Sequence, residues 1–97
     1  VLFTKEDCAP CLNTKIYIQE TYYKEDEDNS RLTDNLVIMR KEDHPALVSA
    51  FHIDKFPTLI ITKGPDELDR VIGGVNIRGN LSYWLHHIAN FNYLNQV

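Results

Sequence analysis

Val1-Leu2-Phe3-Thr4-Lys5-Glu6-Asp7-Cys8-Ala9-Pro10-Cys11 opens the chain, and the rest is read outward from it. Val1 to Thr4 is an apolar, strand-like run. After three charged residues, both cysteines of the chain stand at C-x-x-C spacing where a helical pattern begins. A cysteine at a helix start has its thiolate stabilised by free backbone N–H groups and by the positive end of the helix dipole. The second cysteine, three residues on, lies on nearly the same helical face and can attack a mixed disulfide formed at the first. The spacing suits a dithiol that opens and closes as a disulfide while the fold stays intact.

Beyond the motif, residues 9–24 read as a helix. Leu12, Ile16, Gln19 and Tyr23 share one stripe, which Ile18 and Tyr22 broaden. Residues 24–30 are acidic and without period, and read as a solvated loop. Leu36 to Met39 is expected to be a second buried strand. Pro45 fits a first helical turn, with Ala46, Leu47, Ala50 and Phe51 forming the apolar face of that helix. Pro57 to Thr62 is a third strand, and a turn at residues 63–66 leads into a fourth, Leu68 to Ile72, as a hairpin. Gly73-Gly74 ends it. A last helix carries Ile77, Leu81, Trp84, Leu85, Ile88 and Phe91 at three- and four-residue spacing, with Asn76 or Asn80 as its expected cap.

The order β-α-β-α-β-β-α predicts an α/β fold: a right-handed βαβ unit followed by an antiparallel hairpin. The result is a four-stranded mixed sheet with helices on both faces. The 97 residues suffice for a single domain, 1–97, and no more. Hydrophobic residues at 43% and charged residues at 25% are ordinary globular values, so neither disorder nor a fibrous class is indicated. No run approaches the roughly 18 apolar residues of a membrane span, and no leader pattern precedes the first strand. The formal net charge of −4 argues against a nucleic-acid surface. Two cysteines three apart are not the long-loop staples of a small secreted domain. A cytoplasmic redox motif fits that count better.

The alternatives for Cys8 and Cys11 are two structural thiols or half of a metal site. A zinc site needs about four ligands, and His44, His52, His86 and His87 offer no suitable spacing, so no metal is expected. His86 and His87 project about 100° apart on a helix and make a poor ligand pair. The five tyrosines, Tyr17, Tyr22, Tyr23, Tyr83 and Tyr93, read as packing and helix surface.

Several stretches carry a resemblance to the thioredoxin–glutaredoxin superfamily over nearly the whole chain. Residues 1–8 resemble the opening of a glutaredoxin, with Lys5 three residues before the first cysteine. Phe51-His-Ile-Asp-Lys-Phe-Pro57-Thr58-Leu-Ile-Ile is similar to the thioredoxin segment in which a cis-proline precedes a Thr-Leu strand. Pro10 inside the motif is also the thioredoxin choice. The resemblance implies a thioredoxin fold of glutaredoxin size.

It also implies residue roles. Cys8 would be the nucleophile and Cys11 the buried resolving thiol. Pro10 would stiffen the dithiol loop, and the small Ala9 would leave the sulfur approachable. Lys5 would stabilise the thiolate; its alternative is an ordinary solvated lysine, and the Glu6 and Asp7 charges oppose it. Pro57 would be cis, with the backbone of Phe56 pairing with bound substrate like an added strand and Thr58 following. Gly73 and Gly74 match the glutaredoxin pair at which backbone approaches substrate. A simple turn is their alternative.

The chain also departs from both patterns. Leu2 and Ile38 stand where thioredoxins carry a buried Asp and its Lys partner, so proton transfer to Cys11 must use water or another group. Asp7 replaces the thioredoxin Trp. Val75-Asn76-Ile77 lacks the carboxylate that follows Gly-Gly in glutaredoxins.

The function expected from the resemblance is reduction of protein disulfides through a Cys8 mixed disulfide resolved by Cys11. Ribonucleotide reductase is a client by family analogy only. No bound cofactor is implied beyond the redox-active disulfide itself. Electrons would come from a thioredoxin-reductase-type flavoprotein or from glutathione, and the protein would act as a monomer. A glutathione-dependent glutaredoxin is one alternative. A redox-silent binding module is another, opposed by the intact dithiol.

Overall fold

Leu2, Phe3 and Thr4 have no exposed surface, and the sheet is assembled on them. They form strand β1 (Leu2–Thr4) of a computed structural model that describes residues 1–23 and 33–95, with side chains as far as Ile88. β1 pairs in parallel with β2 (Ile38–Arg40), Leu2 opposite Ile38 and Thr4 opposite Arg40. On its other side it pairs antiparallel with β3 (Thr58–Lys63), Leu2 opposite Leu59 and Phe3 opposite Thr58. β3 pairs antiparallel with β4 (Asp66–Ile72), which completes the order β2-β1-β3-β4. Three helices accompany the sheet among the described residues: α1 (Ala9–Tyr22), α2 (Pro45–Ala50) and α3 (Gly74–Asn95).

Successive strand residues point to opposite faces, and the core divides accordingly. Leu2, Leu59 and Ile61 face Ile18 and Tyr22 of α1 together with Ile77, Leu81 and Leu85 of α3. Phe3 and Ile60 face the other way, onto Val48 of α2 and Ile53. Helices therefore cover both faces of a four-stranded mixed sheet, an α/β arrangement compatible with a thioredoxin-like fold. No helix among the described residues is long and apolar enough to cross a membrane.

Several expectations about local structure are corrected. The buried stripe of α1 is Cys11, Thr14, Ile18 and Tyr22, whereas Leu12, Ile16 and Tyr23 are exposed. Thr14 can take an inward position because its hydroxyl donates to the Pro10 carbonyl at 2.8 Å, which removes the cost of burying it. The second strand is an edge rather than a buried one. It spans residues 38–40, with Ile38 and Arg40 exposed and Met39 half-buried, because β2 has a neighbour on one side only. In α2, Val48 is the buried residue and Leu47 is exposed; Phe51, half-buried, packs on Phe3 with ring centroids 5.8 Å apart.

The hairpin turn is tighter than expected. β3 runs to Lys63 and β4 starts at Asp66, with Gly64 at φ +58°. Neither Asn76 nor Asn80 caps α3, which starts at Gly74. Their side chains lie inside the helix and donate back to the Ile72 and Asn76 carbonyls at 3.0 and 2.8 Å. The acidic stretch 24–30 and the side chains of Phe91 and Tyr93 lie outside the described residues.

Candidate redox site

Cys8 is the N-cap residue of α1, and Pro10 falls in the first helical turn, where the missing N–H has no intrahelical partner to lose. Cys8 and Cys11 are joined as a disulfide, Cα atoms 5.2 Å apart. The Cys11 backbone N–H donates to Cys8 Sγ at 3.2 Å, as a hydroxyl or carboxylate oxygen would accept at an N-cap. Cys11 is 2% exposed and Cys8 is half-buried, so an approaching molecule reaches the Cys8 sulfur first.

The start of β3 supplies the neighbouring wall. The Phe56–Pro57 peptide bond is cis, Pro57 is buried, and the Phe56 carbonyl oxygen lies 3.7 Å from Cys8 Sγ. The Pro57 carbonyl accepts from Gly73 N–H at 2.9 Å, which ties this segment to the start of α3. Thr58 is brought near in backbone only. Its hydroxyl donates to the Lys55 carbonyl at 2.6 Å, and by strand alternation it lies on the Phe3–Ile60 side of the sheet, away from the dithiol.

Gly73 and Gly74 sit across from the first turn of α1. Gly73 has φ +93°, a conformation that suits glycine. A Cβ on Gly74 would stand 3.0 Å from Thr14 Oγ1 and 3.2 Å from the Pro10 carbonyl oxygen. The close approach that requires glycine at 74 is therefore helix against helix. Between the two helix starts lies an open cleft of about 410 Å³, with Ala9, Pro10 and Asn13 on one wall and Gly73, Asn76 and Arg78 on the other. A larger cavity of about 500 Å³, between β3 and α3, includes neither cysteine.

Lys5 is exposed, and its ammonium lies 5.7 Å from the centre of the Phe56 ring. Lys41, from the turn after β2, lies 5.8 Å from the same ring, so two cations flank the aromatic next to the dithiol. The loop before Cys8 is held from that same turn. Glu6 N–H donates to both carboxylate oxygens of Glu42, at 3.0 and 3.2 Å, and Arg40 reaches Glu6 at 3.5 Å and Asp43 at 2.9 Å. The Arg40 hydrogen bond, and secondarily its charge, hold the Asp43 carboxyl below its ordinary range. Asp7, at φ +52°, lies in the left-handed region that Asp tolerates better than most residues.

Lys41, Glu42, Thr14 and Arg78 were not marked by the sequence pattern. Arg78 donates from α3 to Thr14 Oγ1 at 3.4 Å, and Thr14 in turn holds Pro10. The one available signal was a threonine four residues after the motif proline, the spacing of a hydroxyl bonding back along a helix. Among the described residues no cluster of three or more His, Cys, Asp or Glu could hold a metal ion.

No family model matches this chain, and no curated protein does either. The reading of the site therefore rests on its own chemistry. A disulfide at C-x-x-C spacing on a small α/β fold is compatible with a redox-active dithiol.

Proposed function

We propose that the protein is a dithiol–disulfide oxidoreductase that reduces disulfides in client proteins. The observation that carries this reading is the asymmetry of the pair. Cys8 is accessible at a helix N-cap with a backbone N–H directed at its sulfur, and Cys11 is buried one turn behind it. In the reduced protein the same N–H and the helix N-terminus favour thiolate over thiol at Cys8.

The Cys8 thiolate attacks one sulfur of a client disulfide. A Cys8–client bond forms, and the other client sulfur leaves with the electron pair and takes up a proton. Cys11, as thiolate, then attacks Cys8 Sγ. The Cys8–Cys11 bond closes and the second client sulfur is released as a thiolate. Two electrons have passed from this protein to the client. A flavoprotein of the thioredoxin-reductase type is the proposed source that restores the dithiol. The backbone at Phe56 is proposed to dock an extended client segment beside Cys8, as a strand added to the start of β3.

A second reading, with glutathione as co-substrate, draws on the paired Lys5 and Lys41 ammonium groups beside Phe56. The absence of a carboxylate at Val75-Asn76-Ile77 weighs against it.

The test is turnover of a model protein disulfide, with dithiothreitol as the terminal reductant. The wild-type protein is expected to accelerate it and Cys8→Ser to leave only the background rate. Equal rates with and without wild-type protein exclude the reductase reading and leave a binding module.

A further inference from the structure

Thr4 is fully buried, and its Oγ1 is the one buried side-chain polar atom among the described residues without a hydrogen-bond partner. A hydroxyl in that state is costly, so its location matters. By strand alternation Thr4 shares the face of Leu2, the face covered by α1 and α3. It is the last residue of β1, at the end from which the chain turns into α1. In α1 the inward stripe runs Tyr22, Ile18, Thr14, Cys11 toward that same end. Cys11 lies two helical turns, about 10 Å, beyond Ile18, and Thr4 lies about 7 Å beyond Leu2. Continuing the register Leu2–Leu59 and Phe3–Thr58 by one step sets Thr4 opposite Pro57, whose neighbour Phe56 carries the carbonyl beside Cys8.

By that register and stripe, Pro57, Thr14 and Cys11 lie toward the same end of the face as Thr4, and the first two are committed. Pro57 has no N–H. The Thr14 hydroxyl donates to Pro10 and accepts from Arg78. The third is the Cys11 sulfur, and its capacity changes with redox state. In the disulfide it is a poor acceptor and as a neutral thiol a weak one; as a thiolate it is a strong one.

We propose that the Thr4 hydroxyl is a redox-dependent hydrogen-bond donor to Cys11, unpartnered in the disulfide and engaged when the bond opens. Thr4 is then a positioning residue for the resolving thiol. It acts from the Leu2 face of β1, without titrating. The inference rests on the dithiol chemistry proposed above. Reduction by an external dithiol breaks the Cys8–Cys11 bond; that dithiol supplies two electrons and two protons and leaves as a disulfide. Each protein sulfur ends as a thiol or thiolate. Thr4 keeps its proton throughout and contributes one hydrogen bond to the reduced state alone, so it favours reduction.

The experiment equilibrates the wild type, Thr4→Val and Thr4→Ser against the dithiothreitol couple and counts thiols by trapping and mass spectrometry. Valine keeps the branched shape and removes the donor; serine keeps the donor and removes the methyl. Thr4→Val is expected to move the equilibrium about tenfold toward the disulfide, about 30 mV more negative. Thr4→Ser is expected to stay within about twofold of wild type. Oxidised Thr4→Val is expected to unfold no earlier than oxidised wild type, since the group removed has no partner there. Should valine fail to fold, Thr4→Ala gives the same comparison against serine. A wild-type equilibrium in Thr4→Val, or serine behaving like valine, overturns the inference and leaves the redox function standing. A wild-type protein with no reversible disulfide overturns both.

Discussion

The Cys8 sulfur lies 3.7 Å from the carbonyl oxygen of Phe56, across 48 residues of sequence. That contact joins the helix that carries the dithiol to the strand end beside it. The closed disulfide leaves Cys8 half-buried and Cys11 buried in the core.

The asymmetry predicts different fates for the two serine variants. Cys11→Ser retains the accessible thiol and lacks the resolving one, so it is expected to accumulate a Cys8–client mixed disulfide in the presence of a disulfide-bonded protein. Cys8→Ser is expected to form none. Non-reducing gels followed by mass spectrometry of the adduct check both, and adducts on Cys11 rather than Cys8 would reverse the assignment.

Gly74 packs where a Cβ would meet Thr14 Oγ1 at 3.0 Å and the backbone oxygen of Pro10 at 3.2 Å. The threonine is buried and bonded, and the carbonyl belongs to the Cys8–Cys11 turn, so neither yields cheaply. Gly74→Ala is expected to cost about 1–3 kcal/mol of stability by overpacking and to slow turnover with it. Gly64 has nothing within 4 Å of its own Cβ position. Gly64→Ala therefore loses only the backbone cost of its positive φ, about 1 kcal/mol. Urea unfolding of the two variants makes the comparison.

The face of α1 yields a sharper contrast. Ile18 is 1% exposed in the core and Ile16 is 44% exposed. Ile18→Ala is expected to cost about 2–5 kcal/mol and Ile16→Ala no more than about 0.5 kcal/mol. A larger loss at Ile16 than at Ile18 would mean that the helix turns its other face inward.

That rotation also marks the limit of what the chain disclosed. The C-x-x-C motif, the strand-like run before it and the Phe-Pro-Thr segment were legible, because each is a local pattern with a local cause. The element order was legible for the same reason. The inward face of α1 was not, since apolar residues lie around much of that helix. Its choice depends on Thr14 bonding to Pro10 and on Gly74 admitting α3 so closely. The edge position of β2 and the grip of Glu42 on the Glu6 N–H were hidden too, because both arise from pairings between residues 36 apart.

Arg70 clamps β4 to the end of α2. It donates to the Phe51 carbonyl at 2.8 Å and to the Glu67 carboxylate at 2.8 and 3.0 Å. The Glu67 carboxyl is lowered from its ordinary value of 4.5 chiefly by the hydrogen bond from Arg70; burial opposes this, and the Arg70 charge adds a smaller lowering. A folded-state carboxyl lowered in this way adds stability that is present above the unfolded value and lost as pH falls through the folded one. Glu67→Gln is therefore expected to be less stable than wild type near pH 7. The gap should narrow below about pH 4.5, which thermal unfolding across pH 3 to 7 measures. A gap independent of pH would remove the ion pair from the account.

The proposed redox function is tested most directly by a redox titration of the Cys8–Cys11 pair, in glutathione buffers with thiol trapping and mass spectrometry. One reversible two-electron transition is expected, interconverting the disulfide with two free thiols while the fold is retained. A midpoint near about −270 mV without a glutathione adduct places the protein with thioredoxin-like reductants; about −200 to −230 mV with an adduct on Cys8 places it with glutathione-linked ones. A pair that never re-forms its disulfide, or that opens only as the protein unfolds, contradicts the redox function altogether.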